Sequence, residues 1–177
     1  MAASEAEFRR MLVEMLPRLR RYAHALAREP EAGEDLAQSA AAHALRQQAF
    51  YTPGLRFDVW LFRLTRNLWI DQLRRSGARP EVVDTDTVLR AAEPAVDMER
   101  RLMAARALTA FRALPDALRE TAALVLLEGL TYQETAQLLG VPIGTVMSRV
   151  SRARASIARF VLGEAPHGGH GLERHDH

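Results

Sequence analysis

The side chains of this 177-residue chain that are best suited to chemistry lie between Ile143 and Arg159, a stretch rich in hydroxyls and arginines and free of acids. Helical spacing places Val146, Val150, Ala153 and Ile157 on one apolar face and leaves the polar groups on the other faces. Hydroxyl and guanidinium groups donate hydrogen bonds to DNA phosphates and to base edges in the major groove. We therefore predict that this helix binds DNA through its polar faces, which carry Thr145, Ser148, Arg149, Ser151, Arg152, Arg154 and Arg159.

The residues before this helix predict how it is held. Thr131 and Glu134 have the spacing of a capping box that begins a helix. Gly140 follows the apolar end of that helix, where a left-handed backbone is common, and Pro142 suits the first turn of the next helix. Two helices joined by a tight turn, the second of them basic, indicate a helix-turn-helix that binds the major groove. The alternative is an amphipathic helix of an ordinary bundle with solvated arginines.

A second basic element covers Phe57–Arg75, where helical spacing gives two apolar lobes with arginines between them. A helix that is apolar on two sides packs among other helices, so Trp60 and Trp69 are more typical of a core than of a platform for bases. The arginines form the exposed remainder of this helix. Phe50 and Tyr51, in the loop before it, are better placed to stack on an unpaired base.

Charge and composition predict the domain organisation. The net charge is only +2, and all 24 basic residues are arginine. Residues 1–79 carry 13 arginines and 9 acids, residues 80–103 carry 3 and 6, and residues 104–162 carry 7 and 4. Two basic blocks around an acidic connector are typical of two nucleic-acid-binding modules on a tether. Because alanine and leucine are abundant and β-branched runs are few, we predict an all-α fold of two small helical domains joined by an acidic linker at residues 80–103.

Other features exclude whole classes of function. The chain has no cysteine, which excludes disulfides and thiolate chemistry. It has no nucleophile elbow, phosphate loop, paired carboxylates or metal-spaced histidines, so the sequence predicts neither an enzyme nor a bound cofactor. Residues 163–177 hold four of the six histidines among glycines, which predicts a disordered tail, with metal binding as the alternative. The run Ala122–Leu127 is too short to span a membrane, and no signal peptide is evident, so we expect a cytoplasmic protein without membrane insertion.

Three stretches resemble the bacterial RNA polymerase sigma factors of the extracytoplasmic-function (ECF) class, which have only region-two and region-four domains. These stretches are EDLAQSAAAHAL at 34–45, FDVWLFRLTRNLWIDQLRR at 57–75, and LPDALRE with GLTYQETAQLLGVPIGTVMSRVSRARASI within 114–157. The third is the most specific of the three. The resemblance implies an alternative sigma factor that binds core RNA polymerase, recognises and opens promoter DNA, and starts transcription.

The resemblance also implies a partner for each element. The helix that begins near Asp35 would dock on the clamp helices of the polymerase β′ subunit through Asp35, Gln38 and Ser39, although the family usually has an acid in place of Ser39. The basic helix 143–159 would read the minus-thirty-five element through six side chains: Thr145, Ser148, Arg149, Ser151, Arg152 and Arg154. Contacts with the β subunit and control by an anti-sigma factor are further implications. The loop and helix at residues 50–75 would bind the opened minus-ten element through Phe50, Tyr51, Arg56, Arg63, Arg66, Asn67 and Arg74.

Two other functions remain open from the sequence. A plain DNA-binding regulator would use the helix-turn-helix and recruit no polymerase, but it would leave residues 34–75 unexplained. A decoy would bind an anti-sigma factor without driving transcription. Ser39 favours the decoy, whereas the basic helix argues against it because a decoy has no need to read DNA.

Overall fold

The computed structural model describes residues 4–77 and 98–163, so most of the predicted linker and the predicted histidine-rich tail lie outside the described residues. The described residues form helices and turns without a strand, which confirms the all-α fold class. A 3-10 turn at Gln48–Phe50 follows the second helix, and a π-helical turn at Ala123–Leu127 extends the fifth. The helices in chain order are α1 (Glu5–Ala27), α2 (Pro30–Arg46), α3 (Phe57–Ser76), α4 (Met98–Ala113), α5 (Asp116–Ala122), α6 (Tyr132–Leu139) and α7 (Ile143–Leu162).

Helices α1, α2 and α3 form the first domain. Helix α1 buries Phe8, Leu12 and Leu19 at helical spacing. Pro17 lies on its exposed side and does not end it, so α1 is a single helix. Helix α2 begins at Pro30, because the missing amide of proline costs nothing at a first helical position.

An aromatic cluster joins the start of α1 to the loop before α3. The ring of Phe8 lies 5.3 Å from that of Phe57, and the ring of Tyr51 lies 5.2 Å from that of Phe57. Trp60 stacks beside Phe57 at a centroid distance of 5.7 Å, which agrees with the prediction that Trp60 packs in the core. The two edge-to-face contacts and this stacked pair together fix the direction in which the chain enters α3.

Helices α4 to α7 form the second domain. The predicted capping box of Thr131 and Glu134 is present, and Gly140 ends α6 with φ +68°. Pro142 precedes α7 as its N-cap, one residue earlier than predicted. Of the run Ala122–Leu127, the first three residues are buried, but Leu127 is 47% exposed, because the wider π-helical turn rotates the end of the run away from the core.

The two domains share a hydrophobic core. Buried residues of α1, such as Tyr22 and Leu26, belong to the same cluster as Leu114 and Leu124 of the second domain. Helix α4 begins at Met98, so the last six residues of the predicted linker are helical. The sequence left the arrangement of the two domains open, and the structure packs them against each other.

Candidate nucleic-acid interface

The basic helix α7 is held by its apolar face and presents its polar faces outward. Val146, Val150 and Ala153 are buried against the other helices of the second domain. The capping box and the turn at Gly140 fix the angle at which α7 leaves α6. Of the six predicted DNA contacts, the exposed ones are Ser148, Ser151, Arg152 and Arg154, and the half-buried ones are Thr145 and Arg149.

The predicted polymerase contacts lie on the outer face of α2. Asp35, Gln38 and Ser39 are all exposed, and their spacing places them beside one another on one helical face. Leu36 and Ala40 are buried on the opposite face and hold α2 on the first domain. Asp35, Gln38 and Ser39, the polar arc of α2, therefore face solvent on a well-packed helix.

The predicted contacts to the minus-ten element divide into two groups. Phe50 is 77% exposed at the end of its 3-10 turn, which suits a ring that stacks on a base. Tyr51 is only 6% exposed, and its hydroxyl donates a 2.8 Å hydrogen bond to the carbonyl of Leu55. The expectation that Tyr51 is placed to touch an unstacked base is therefore wrong for this structure, because its ring completes the aromatic cluster. The exposed members of the set on α3 are Arg63, Asn67 and Arg74.

Two predicted DNA contacts are bound to carboxylates of the second domain. Arg66 Nε donates to Glu120 Oε1 at 2.8 Å, and Arg56 Nη1 donates to Glu134 Oε1 at 2.5 Å. Arg56 also donates to Asp58 Oδ2 at 2.6 Å. Arg66 is half-buried, so the prediction of an exposed arginine strip on α3 is wrong at this position.

The ion pairs and their hydrogen bonds affect the pKa values of the acids. Burial alone would raise the pKa of Asp58, but hydrogen bonds from Arg56 and from the backbone amide of Val59 lower it below its ordinary value. The backbone amide of Thr131 lowers the pKa of Glu134, and Arg56 adds to the effect. Both acids are therefore charged at neutral pH, when they bind the arginines.

The sequence analysis missed a buried arginine at the junction of the domains. Arg119 is 2% exposed and donates to the carbonyls of Ala25 and Leu26, at 2.5 and 3.3 Å, near the end of α1. It also donates to the carbonyl of Leu114 at 2.8 Å and to Asp116 at 2.6 Å. A helix leaves its last carbonyls without partners, and Arg119 satisfies two of them from the other domain. Ala122 and Ala123, three and four positions after Arg119, are buried, and this helical spacing was the signal that could have predicted the burial of Arg119.

A second missed site surrounds Glu128, whose side chain is fully buried. Arg18 Nε donates to Glu128 Oε2 at 2.9 Å, and Arg21 Nε donates to Glu128 Oε1 at 3.1 Å. Arg18 also donates to the backbone carbonyl of Glu128 at 2.6 Å, and its guanidinium lies 5.4 Å from the centre of the Phe62 ring. Bidentate and charge-assisted bonds of this kind are the strong ones in proteins.

The described residues show neither a membrane-spanning helix nor a cluster of metal-binding side chains. Within residues 4–77 and 98–163, no helix is both long and apolar enough to cross a membrane. The same residues contain no group of three or more histidines and acids that could hold a metal ion.

Comparison with known proteins identifies relatives of both domains. Two family models match the chain, Sigma-70 region 2 over residues 11–79 and Sigma-70, region 4 over residues 104–157. The ECF RNA polymerase sigma factor SigE of Mycolicibacterium smegmatis is 34% identical over 148 residues, which cover 81% of this chain and 57% of that protein. The chain therefore spans little more than half of this relative.

Two further relatives match over most of their own length. EcfG of Rhodopseudomonas palustris, also an ECF RNA polymerase sigma factor, is 30% identical over 147 residues, which cover 82% of this chain and 80% of EcfG. The sigma factor RpoE from Bartonella quintana, solved in complex with the anti-sigma factor NepR, is similar in structure with a TM-score of 0.71 at 27% identity. That match covers 94% of this chain and 98% of RpoE.

Proposed function

The chain belongs to the extracytoplasmic-function class of RNA polymerase sigma factors, and on this premise we propose that it binds core polymerase and directs it to two-element promoters. The observation that carries the proposal is the placement of an exposed polar arc on α2 and an exposed basic face on α7 in two linked domains. Each small domain neutralises few phosphates and would bind DNA weakly alone. When polymerase fixes the separation of the two domains, binding of one domain raises the effective concentration of the other at its DNA element. The affinity of the pair for the promoter therefore increases. The protein would act in the cytoplasm, beside the chromosome.

Helix α7 supplies the reader of the minus-thirty-five element. Its exposed hydroxyls and arginines can donate to base edges and phosphates, whereas its buried face keeps it seated on the second domain. Arg152 is the strongest candidate for a base contact, because it is exposed to solvent near the middle of the polar face and a guanidinium can bind guanine with two bonds.

Replacing Arg152 with alanine should therefore weaken promoter binding by about 1–3 kcal/mol and relax the preference for the base it contacts. The measurement is the affinity of the full chain for a duplex selected by that chain from a randomised library. Arg159→Ala is the matched control, since Arg159 is an exposed arginine of the same helix outside the six predicted minus-thirty-five contacts. Equal affinity of the Arg152→Ala variant and the parent would contradict the assignment.

The first domain supplies the contacts to the opened minus-ten element. Phe50 offers an exposed ring for a base that has left the stack, and the exposed α3 residues Arg63, Asn67 and Arg74 line the path of the strand beyond it. All of these groups are exposed to solvent. Tyr51 contributes by holding the loop in place and not by direct contact.

An anti-sigma factor is the expected regulator. RpoE of Bartonella quintana binds the anti-sigma factor NepR, and this chain exposes apolar side chains that such a partner could cover. Solvent-exposed apolar groups on neighbouring helices are typical of protein-binding surfaces. Helices α4 and α7 contact each other, and their exposed apolar side chains include Met98, Leu102, Met103, Phe160 and Leu162.

A further inference from the structure

Two apolar side chains lie among the polar groups on the exposed side of α7. Met147 is 52% exposed, and Ile143 is 44% exposed. Because residues four apart are neighbours on a helix surface, the two form a short apolar stripe at the start of α7. The same spacing continues the stripe into Ser151, which is exposed. Neither apolar side chain is among the predicted DNA contacts, although both lie on the helix proposed to enter the major groove.

The position of Met147 along α7 brings it to the base edges. It is the fifth residue of the helix, which begins at Ile143. In a helix-turn-helix, the first turns of the second helix contact the base edges. The exposed neighbours of Met147 on the helix surface are polar or basic, namely Ser148, Ser151 and Arg154, and α7 contains no acid. A groove that accepts these polar groups therefore also meets the Met147 side chain.

Ile143 is less well placed for a base contact than Met147. It lines a shallow depression at the turn together with Gln133, Gln137 and Pro142. The two glutamines belong to α6, and the first helix of a helix-turn-helix crosses the DNA backbone and does not enter the groove. Met147 does not line this depression, so its side chain is the apolar group of α7 that is free to contact a base.

The residue types of α7 limit how this helix can distinguish base pairs. Arginine binds guanine with two hydrogen bonds, adenine is matched by an amide side chain, and cytosine is matched by a carboxylate. Residues 143–162 contain no asparagine, glutamine, aspartate or glutamate. Serine and threonine bond to more than one base and therefore discriminate little. The feature that still marks an A·T pair for this helix is the C5-methyl group of thymine, which an apolar side chain recognises by contact.

We propose that Met147 is a specificity-determining residue, which packs its thioether side chain against the methyl group of a thymine in the minus-thirty-five element. The inference rests on the proposed function, because it takes α7 to be the reader of that element. Arginines of the same helix then read guanines, and Met147 supplies the recognition of an A·T pair that they lack. A methionine side chain is flexible and polarisable, so it adapts to the shape of the methyl group. The contact removes both apolar groups from water, which stabilises the complex.

The test replaces thymine with deoxyuridine, which lacks only the C5-methyl group. The full chain first selects a duplex from a randomised library, and each thymine of the selected element is then replaced in turn. We expect the affinity of the parent to fall about fourfold at one of these thymines, which is the effect of leaving one methyl group without its apolar contact. The affinities are measured by fluorescence anisotropy of the labelled duplexes.

Variants at position 147 assign the methyl contact to its side chain. Met147→Ala should bind the thymine duplex about fourfold more weakly than the parent and should bind the thymine and deoxyuridine duplexes equally. Met147→Leu keeps a large apolar side chain and should retain the preference for thymine. The matched control is Met103→Ala, since Met103 is a methionine of the second domain that is 47% exposed on α4. This control should match the parent on both duplexes.

Three results would overturn the role of Met147 while leaving the proposed function in place. One is a parent that binds every deoxyuridine duplex as tightly as the thymine duplex, and another is a selected element without any A·T pair. The third is a Met147→Ala variant that keeps the full preference for thymine, which would assign the methyl contact to another side chain. A library from which the full chain enriches no sequence would instead contradict both the proposed function and the inference that rests on it.

Discussion

Replacing Arg119 with methionine is expected to lower the free energy of unfolding by about 2–4 kcal/mol, because the change leaves buried carbonyls without donors. The guanidinium bridges the carbonyls of Ala25, Leu26 and Leu114 inside the packed junction. Methionine has a similar volume and offers no hydrogen bond to any of them. The measurement is urea denaturation of the full chain followed by circular dichroism.

Two further variants show whether geometry or charge matters at this position. Arg119→Lys should recover little of the lost stability, since an ammonium group cannot reproduce the planar fork that reaches several oxygens. Arg106→Met, at an exposed position on α4, controls for the loss of an arginine from the second domain. An Arg119→Met variant with the same denaturation midpoint as Arg106→Met would contradict the structural role of the buried guanidinium.

Replacing Asp35 and Gln38 together with alanine is expected to weaken binding to core polymerase on the order of a thousandfold. The estimate takes each side chain as an interface hot spot worth about 2 kcal/mol. Both side chains are exposed on α2 and do not support the core, so the fold should be retained. Core binding can be measured by surface plasmon resonance with immobilised polymerase and the full chain in solution.

The matched control replaces an acid and an amide elsewhere, Glu99→Ala with Gln137→Ala, both exposed in the second domain. Undiminished core binding by the Asp35/Gln38 variant would show that the docking surface lies in another part of the chain. Ser39→Glu supplies the acid that the family usually has at this position. It should tighten core binding if Ser39 lies in the same contact.

The sequence was sufficient to predict the elements that depend on residues close together in the chain. Apolar spacing gave α3 to within one residue of its observed end, and the hydrogen bonds that begin and end α6 follow from Thr131, Glu134 and Gly140. These features depend on residues within one or two turns of each other. The exposed arc on α2 followed from the same helical periodicity.

The packing between the domains could not be predicted in this way. Arg66 lies among exposed arginines by helical position, and only the approach of Glu120 from another domain, 54 residues later, buries it. Tyr51 occupies a loop by its sequence, but Phe8 and Phe57 draw its ring into the core. Arg28 adopts φ +61°, a region that rarely suits an arginine, and its side chain binds Asp116 across the junction. Contacts between residues far apart in the chain determine the burial of Arg66, the position of the Tyr51 ring and the ion pair of Arg28.

The measurement that tests the central claim most directly is run-off transcription with purified core polymerase, this protein and fragmented genomic DNA from the source bacterium, followed by sequencing of the transcripts. We predict discrete start sites that require the protein and that share a minus-ten and a minus-thirty-five element at fixed spacing. A housekeeping sigma factor added to the same polymerase confirms that the enzyme is active. Absence of any transcript above core polymerase alone, in a reaction where that control succeeds, would contradict the assignment of this chain as a working sigma factor.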